Sequence, residues 1–338
     1  MLAVLNTVKG EFKNIYVKIP CPEVDQALLK IYQCGICGSD IQIYHGLHPF
    51  AKKPLVMGHE CVAEVVRTGS GVLDLVPGDL VTVQPQIFCH TCQACRSGHS
   101  NVCENMNFMG VHTDGFFAEY AAVPAWNVLR LDHGISRDAA MLTEPVAVAV
   151  NAARKGRVMT GMRVAVVGAG TIGNLTAQVC RCMGAEVLIT DIQDSKLDLA
   201  EKCGIDHCVN TSATDLREGT KGAFHGRKAD LIIDCAAVPS VFEQIVAYAA
   251  NGSGVVLVGN YKKAVEIDLS KIQRREIDIH GVMQYSRDDF TEAIRLLETG
   301  QIKTEGIISG HFPLTELKAA FEYIDQHPDT MKVAVTMD

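Results

Sequence analysis

A glycine-rich turn between an apolar run and a helical stretch constrains the fold of this chain most strongly. The run Arg163–Val167 (RVAVV) predicts a strand buried on both faces of a parallel sheet. The segment Gly168–Gly173 (GAGTIG) follows it, matches the pattern GxGxxG and leads into a helical stretch, Ile172–Met183. Asp191 ends the next predicted strand, 18 residues after the last glycine. This order predicts a dinucleotide site, with an ordinary strand–turn–helix that binds nothing as the alternative.

Each residue of this pattern has a physical reason to be there. Gly168 permits a tight turn, Gly170 lets a pyrophosphate approach the backbone, and Gly173 lets helix and strand pack closely. The pyrophosphate would lie at the helix N-terminus, where free N–H groups and the helix dipole favour an anion. Asp191 would accept hydrogen bonds from the adenosine ribose, and its carboxylate repels a 2′-phosphate. Because the next two residues supply no cation, the pattern favours NAD over NADP.

The surrounding sequence divides into three parts. Residues 1 to about 150 contain short β-type runs broken by glycine and proline, such as Ala27–Tyr32, Cys61–Arg67 and Leu80–Val83. Strand and helix patterns then alternate as far as about residue 258, which predicts a doubly wound α/β unit. The tail predicts two helices and ends in a strand-like run, Lys332–Thr336. The expected fold class is therefore α/β, with a β-rich part and a doubly wound parallel sheet.

The charge and hydropathy of the chain exclude several classes of function. The 338 residues carry 31 Lys and Arg against 39 Asp and Glu, whereas a nucleic-acid-binding protein needs a basic face. No window approaches the roughly 18 uninterrupted apolar residues of a membrane span, and the first residues lack the pattern of a signal peptide. We therefore expect a cytoplasmic protein of about two domains that acts on a small molecule.

Four of the 13 cysteines are closely spaced. Cys89, Cys92, Cys95 and Cys103 follow the spacing C-x2-C-x2-C-x7-C, and the polar residues between them supply little core. Four thiolates this close suit a structural Zn²⁺ site, whereas the last spacing differs from that of a bacterial iron–sulfur cluster. An iron–sulfur cluster and a chance grouping of thiols are the alternatives.

A second group of metal-binding residue types is spread along the first half of the chain. Cys37 lies in the segment CGICGSD, His59 and Glu60 follow about 20 residues later, and Glu144 precedes a proline. A thiolate, an imidazole and a carboxylate brought together would leave a fourth zinc position open, as a catalytic site requires. A histidine before a glutamate is common and most Glu-Pro pairs are turns, so the residues by themselves leave this assembly open.

Taken in order, these motifs resemble one family over essentially the whole chain. GICGSD, GHE, the four cysteines and GAGTIG are similar to motifs of the zinc-dependent medium-chain alcohol dehydrogenase superfamily. Glu144-Pro145 and the chain length resemble its polyol and threonine dehydrogenase branch. PFAKKPLVMGHE and GVHTDGFFAEY look most like bacterial hexonate (L-galactonate or L-gulonate 5-) dehydrogenases and their starvation-sensing relatives. The resemblance implies a GroES-like catalytic domain at residues 1–151, completed by 288–338, and a Rossmann NAD-binding domain at 152–287.

The resemblance also implies how the chain holds a catalytic zinc. Cys37 and His59 would bind the ion, and Glu60 and Glu144 compete as further carboxylate ligands, while Cys34 is not a ligand. Family members differ over which carboxylate binds directly. Together with the four-cysteine site, the chain would hold two Zn²⁺, one catalytic and one structural.

Neighbours of the catalytic ligands have implied roles of their own. Asp40 would orient His59, and Ser39 would hydrogen-bond the substrate hydroxyl and begin a proton relay. Many polyol-type relatives have a histidine where Gln42 stands. Because an amide cannot titrate, the relay would end at ribose and water or use His45.

The cofactor implied by the resemblance is NAD, held around the glycine turn and the strands that follow. The implied contacts are Gly168, Gly170, Thr171, Ile172, Gly173, Asp191, Lys196, Val258 and Gly259. Lys196 would reach the adenosine ribose, and Val258 and Gly259 would line the nicotinamide site. Dimers and tetramers predominate in the family, so a homodimer or homotetramer is expected.

The implied reaction is the reversible NAD-linked oxidation of a secondary alcohol to a ketone. The expected substrate is a sugar acid such as L-gulonate or L-galactonate, with sorbitol or another polyol and L-threonine as alternatives. A nucleotide-bound regulatory protein without turnover is the alternative of another class. His112, Glu119 and Tyr44 are candidates for substrate contacts or for ordinary structural roles. Some sugar-acid relatives carry an arginine around positions 283–284, and Arg287 is the closest arginine here.

Overall fold

The computed structural model describes residues 1–337, which form two compact units. The first unit contains Met1–Glu144, Ala293–Thr299 and the described chain from Ile308 onward. The second contains Pro145–Glu292 and Gly300–Ile307. The expected α/β class is confirmed, with a β-rich first unit and a parallel sheet in the second. The domain limits expected near residues 151 and 288 stay a prediction.

The helices and strands are numbered in chain order. The strands are β1 (Leu2–Val8), β2 (Glu11–Tyr16), β3 (Gln26–Ile36), β4 (Leu55–Val56), β5 (Glu60–Thr68), β6 (Leu80–Val83), β7 (Gln86–Ile87), β8 (Asn107–Phe108), β9 (Tyr120–Pro124), β10 (Val128–Arg130), β11 (Arg163–Val167), β12 (Glu186–Asp191), β13 (His207–Asn210), β14 (Leu231–Asp234), β15 (Gly254–Leu257), β16 (Asp278–Gly281), β17 (Ile308–Pro313) and β18 (Lys332–Thr336). The helices are α1 (Gly38–Tyr44), α2 (Gln93–Arg96), α3 (Arg137–Met141), α4 (Thr143–Lys155), α5 (Thr171–Cys182), α6 (Asp194–Lys202), α7 (Leu216–Ala223), α8 (Pro239–Tyr248), α9 (Leu269–Arg275), α10 (Arg287–Glu298) and α11 (Leu317–Gln326).

The first unit is organised around a seven-stranded sheet. Its order is β10-β6-β5-β3-β18-β17, and β9 also pairs with β3. The last strand, β18, runs antiparallel to β3 and parallel to β17, so the tail of the chain completes the sheet of the first unit. Buried apolar side chains of these strands pack with those of α11, including Leu29, Ile31 and Phe321. Strand β18 therefore lies beside the strand that leads to Cys37.

The second unit is a six-stranded parallel sheet with the order β13-β12-β11-β14-β15-β16. Strand order reverses between β11 and β14, and ligands of such sheets bind outside the carboxyl ends of the strands at this point. Strand β11 ends there, directly before the glycine-rich turn.

The segment around Glu144 is helical, so its Glu-Pro pair is not a turn. Helix α4 begins at Thr143, so Pro145 lies in its first turn. The first backbone N–H groups of a helix have no intrahelical partner. Proline is tolerated at these positions because it has no backbone N–H group to leave unpaired. Glu144 is thereby held on a helix rather than on a loop.

Within the described chain, we find no helix that combines the length and the apolar character needed to cross a membrane.

Candidate active site and metal centres

The first group of candidate metal ligands lies at the adjoining ends of two strands. Cys37 follows β3 as the N-cap residue of α1, His59 precedes β5, and Glu60 is the first residue of β5. Because β3 and β5 pair antiparallel with Gly35 opposite Glu60, these ends meet. The ligand atoms of Cys37, His59 and Glu60 all lie within 4.8 Å of one another. A thiol, an imidazole and a carboxylate in one group fit a Zn²⁺ ion.

Asp40 lies against one side of the His59 ring. Its Oδ2 accepts the Cys37 N–H at 2.9 Å, and its Oδ1 lies 3.6 Å from Nδ1 of His59, with both side chains buried. Burial opposes protonation of His59, but the acidic groups around it, Asp40 foremost, together outweigh burial and raise the pKa of His59. A carboxylate on Nδ1 leaves Nε2 as the ring nitrogen that can bind a metal.

Lys332, the first residue of β18, is a site residue that the sequence reasoning missed. Its Nζ lies 2.7 Å from each carboxylate oxygen of Glu60 and donates to the Ile36 carbonyl at 3.1 Å. Burial lowers the pKa of Lys332, but the acidic groups around it, Glu60 foremost, together reverse this effect and raise the pKa. A Cβ on Gly35 would overlap Oε2 of Glu60, so the glycine makes room for the carboxylate. The available sequence signal is a lysine that opens an otherwise apolar strand, KVAVT.

Glu144 lies near this group without joining it. It is buried in the first turn of α4, and its charge acts on both His59 and Lys332. It does not belong to the group whose ligand atoms lie within 4.8 Å of one another. The structure therefore brings three of the four expected ligands together and leaves Glu144 close by.

The residues expected in the proton relay lie on or just after α1. Ser39 is half-buried, and its hydroxyl makes no hydrogen bond to residues 1–337, so it can bond to a substrate. Gln42 lies one turn further along the same helix. His45 is engaged elsewhere, because its Nε2 lies 3.1 Å from Oδ1 of Asp325.

The four closely spaced cysteines form a second group. Their sulfur atoms all lie within 4.8 Å of one another, with Cys103 Sγ 3.4 Å from Cys89 Sγ and 3.9 Å from Cys92 Sγ. Zinc–sulfur bonds of about 2.3 Å in a tetrahedron give sulfur–sulfur edges of roughly 3.8 Å. The lobe has a small apolar cluster around Phe88. The sulfur–sulfur distances and the small apolar core of the lobe both fit a structural zinc.

Backbone N–H groups favour the thiolate form of two of these cysteines, Cys89 and Cys92, and a thiolate is the form that binds a metal. The backbone N–H of Thr91 contributes most to lowering the pKa of Cys89, to about 5, and the N–H of Cys95 lowers that of Cys92. Burial, followed by hydrogen bonds that the Cys95 thiol donates to the neighbouring sulfurs, raises the pKa of Cys95 to about 12. Because a metal binds thiolates, loading this site would release protons.

The glycine-rich turn of the second unit has the form that a dinucleotide site needs. Gly168 has a φ of +97°, in the left-handed region that favours glycine. A Cβ on Gly173 would overlap the Gly168 carbonyl oxygen, so the helix and the turn approach too closely for any side chain there. Helix α5 begins at Thr171, which places Thr171 and Ile172 in its first turn.

Asp191 connects the end of β12 to this turn. Its Oδ2 accepts the Ala169 N–H at 2.7 Å, and its Oδ1 accepts those of Ile192 and Gln193 at 2.8 and 3.0 Å. These bonds fix the carboxylate beside the carboxyl end of β11.

The remaining cofactor candidates lie elsewhere in the second unit. Val258 and Gly259 follow β15 and donate their N–H groups to the Asp234 carbonyl at 2.9 and 3.0 Å. Lys196 lies on α6. These positions are compatible with the cofactor contacts that the family resemblance implies. Those contacts stay predictions.

Two of the three candidates for substrate contacts have structural roles. Tyr44 is 6% exposed, and its ring stacks on that of Phe12 at 5.2 Å between centroids. Glu119 accepts the Leu2 N–H at 2.6 Å. His112 is half-buried and accepts a backbone N–H through Nδ1, which leaves Nε2 available.

Comparisons with known proteins agree with this combination of fold and sites, which defines a zinc-type dehydrogenase. Two family descriptions match, "Alcohol dehydrogenase GroES-like domain" over residues 23–133 and "Zinc-binding dehydrogenase" over residues 171–299. L-galactonate-5-dehydrogenase of Escherichia coli (strain K12) is 34% identical over 306 residues, 90% of this chain and 89% of the relative. The chain belongs to the zinc-dependent medium-chain alcohol dehydrogenase superfamily and is an oxidoreductase, which confirms the resemblance seen in its motifs.

Solved structures share the fold over the whole chain. The structure of a short chain alcohol dehydrogenase (rspB) from E. coli CFT073, complexed with NADH, has a TM-score of 0.93 at 31% identity and covers 100% of this chain and 99% of that one. A structure from Sinorhizobium meliloti 1021, described as a zinc-binding dehydrogenase and bound to NADP, has a TM-score of 0.92 at 32% identity, with 99% and 98% covered. Both nicotinamide cofactors therefore occur among similar proteins.

Proposed function

We propose that this protein catalyses the reversible, NAD-linked oxidation of a secondary alcohol of a sugar acid to a ketone. The observation that carries the proposal is the group of half-buried Cys37 with buried His59 and Glu60, whose ligand atoms lie within 4.8 Å of one another. The sugar-acid class is supported by 34% identity to a relative named L-galactonate-5-dehydrogenase, over 90% of this chain.

In this proposal the first unit holds the catalytic zinc through Cys37 and His59. Glu60 and Glu144 are the competing carboxylate ligands, and the ion pair with Lys332 disfavours Glu60 as a ligand while it is formed. The bound ion would supply Lewis-acid chemistry at the carbinol oxygen, and the nicotinamide would accept the hydride.

The chain's own residues position the substrate and move its proton. The Ser39 hydroxyl, which has no partner among residues 1–337, hydrogen-bonds the substrate hydroxyl and accepts its proton as it leaves. Asp40 keeps the His59 ring oriented through Nδ1. Gln42 cannot carry the proton further, and His45 is bonded to Asp325, so the proton would pass from Ser39 to the ribose of the bound NAD and to water.

The second unit holds NAD in this proposal. The pyrophosphate would bind at the start of α5, where Gly170 precedes the first turn and a Cβ on it would meet open space. Asp191 accepts the adenosine ribose hydroxyls, and its fixed carboxylate disfavours a 2′-phosphate. Assembly into a homodimer or homotetramer belongs to the same proposal and rests on the family resemblance.

An activity screen tests the proposal. The zinc-loaded protein is assayed by absorbance of the reduced cofactor with hexonates, hexitols including sorbitol, and L-threonine, each with NAD and with NADP. We expect the highest kcat/KM for a hexonate with NAD, by about tenfold or more over NADP because of the carboxylate–phosphate repulsion. Faster turnover of a hexitol or L-threonine would replace the substrate class, and no turnover of any would favour a regulatory protein. The His59→Ala variant, expected to be inactive, controls for contaminating dehydrogenases.

A further inference from the structure

A concentration of basic side chains adjoins the metal-ligand group in the first unit. Residues 45–59 contain three histidines and two lysines and no acidic residue, in a chain with a net charge of −8. Among these, His45 is bonded to Asp325 and His59 belongs to the metal-ligand group. His48, Lys52 and Lys53 are left for another role.

A second segment brings His112 to this region. The Lys52 N–H donates to the Val111 carbonyl at 3.1 Å, which places Lys52 beside His112. Phe108 donates its N–H to Nδ1 of His112 at 3.0 Å, and its ring lies 5.3 Å from the ring of His59 at an interplanar angle of 70°. His112 is therefore anchored on a residue that packs against a metal ligand. We call His48, Lys52 and His112 the basic cluster.

Backbone hydrogen bonds select the same tautomer in both histidines of the basic cluster. Nδ1 of His48 accepts the Phe50 N–H at 3.3 Å, just as Nδ1 of His112 accepts that of Phe108. A neutral imidazole that accepts at Nδ1 carries its proton on Nε2, on the opposite edge of the ring. Neither Nε2 bonds to the described residues, 1–337, so each ring offers an N–H donor.

The charges of the basic cluster act on one another. Burial lowers the pKa of His48, and so do His112 and His59; burial also lowers the pKa of His112, and so does Lys52. The lowered pKa of each ring favours its neutral, N–H-donating form, and the Lys52 side chain adds an ammonium group. The nearest acidic residue on these two segments, Asp114, is occupied by the Val56 N–H at 2.9 Å.

We propose that His48, Lys52 and His112 form an anion subsite that binds the carboxylate of the sugar-acid substrate beside the metal-ligand group. Two neutral N–H donors and one ammonium group suit the oxygens of a carboxylate, and they would orient the substrate from its charged end. In this proposal the basic cluster recognises the substrate carboxylate. Arg287 is a candidate for this role only because it is the arginine closest in sequence to positions 283–284. The subsite rests on the proposed function, because it concerns the acid end of the same substrate.

Matched ligands and variants test the subsite in the zinc-loaded protein. A hexonate is compared with the hexitol that carries CH₂OH in place of its carboxylate, by kcat/KM with NAD and by calorimetric Kd in the presence of NADH, where no oxidation occurs. We expect Lys52→Met and His112→Leu each to weaken the hexonate relative to the hexitol by about tenfold or more, as for hydrogen bonds to a charged group. His112→Gln, which keeps an N–H donor, should recover part of the loss. Lys18→Met, at an exposed lysine outside the basic cluster, is the control and should change neither ligand.

The two proposals fail in different ways. If hexonates are oxidised but Lys52→Met and His112→Leu weaken both ligands alike, or neither, the subsite is wrong and the proposed function stands. If hexonates are not oxidised, the proposed function is wrong, and the Kd values with NADH still decide the subsite. A hexitol phosphate that binds more tightly than the hexonate, and loses this advantage in Lys52→Met, would overturn the carboxylate assignment in favour of a phosphate.

Discussion

The pair of Glu60 and Lys332 is a buried charge arrangement at the edge of the candidate active site. The exposed fractions of the two side chains are 1% and 6%, so neither charge is hydrated when the partner is lost. The carboxylate is also a candidate metal ligand, and Lys332 and the ion therefore compete for it. Removing one partner of a buried pair leaves the other uncompensated, which is more destabilising than the pair itself is stabilising.

We expect Lys332→Met to lower the free energy of unfolding by about 3–5 kcal/mol when no ion occupies the Cys37–His59 group, because it leaves Glu60 buried and unpaired. Adding Glu60→Gln to this variant should restore part of the stability, since a neutral amide is less costly to bury. Urea denaturation measures both effects.

The matched control for Lys332→Met is Lys318→Met, which breaks the exposed pair of Lys318 with Glu322 on α11. This change should alter the free energy of unfolding by less than about 1 kcal/mol. Equal effects of the two lysine substitutions would contradict the role given to Lys332.

At the scale of single elements, the strand–turn–helix β11–α5 behaves as its sequence pattern predicts. The strand prediction Arg163–Val167 matches β11, and the helix begins one residue earlier than expected, at Thr171. Close packing at Gly173 explains why the last glycine of the pattern is needed. This element can be read from sequence because its constraints are local.

We expect Gly173→Ala to lower the free energy of unfolding by about 1–3 kcal/mol, because the added Cβ must displace the Gly168 carbonyl. The shift of the turn should also weaken NADH binding, measured by calorimetric titration. Gly222→Ala on α7 is the control, because a Cβ there meets open space. That change should leave NADH affinity unaltered and not lower stability. NADH affinity unchanged in Gly173→Ala would argue against this turn as the cofactor site.

Some strands of the second unit are not visible in the sequence. The edge strands β13 (HCVN) and β16 (DIHG) have no continuous apolar run, and their residues are only partly buried or exposed. Each pairs with one neighbour, so backbone hydrogen bonds hold it without the apolar faces that mark a central strand. Hydrophobic patterns therefore identify the centre of this sheet better than its edges.

At the scale of the whole molecule, the proposed catalytic and structural zinc centres can be distinguished by experiment. The single tryptophan, Trp126, lies beside the four-cysteine lobe, with its ring 5.9 Å from that of Phe88 and 5.7 Å from that of His90. Its fluorescence therefore reports on this lobe.

We expect two zinc ions per chain by metal analysis. Cys103→Ser should remove one of them, change the Trp126 fluorescence and lower the thermal midpoint, because the lobe has little core of its own. His59→Ala should remove the other ion and abolish turnover while leaving Trp126 fluorescence unchanged. Two zinc ions retained in either variant, or a fluorescence change in His59→Ala, would refute this division.

The sequence by itself determined the fold class, the family and the types of chemistry. These follow from patterns that are local along the chain, such as a strand followed by a glycine turn, or four cysteines within one short segment. Spacing along a short segment fixes the geometry of that segment, so the structure it forms can be predicted without knowing the rest of the molecule.

Only the tertiary structure decided which distant residues share a site. Lys332 meets Glu60 across 272 positions of sequence, because β18 inserts beside β3 in the sheet of the first unit. His112 reaches the region of His59 through the backbone and ring of Phe108. Strand order sets these contacts, and strand order depends on how all the apolar faces are buried together rather than on any one segment.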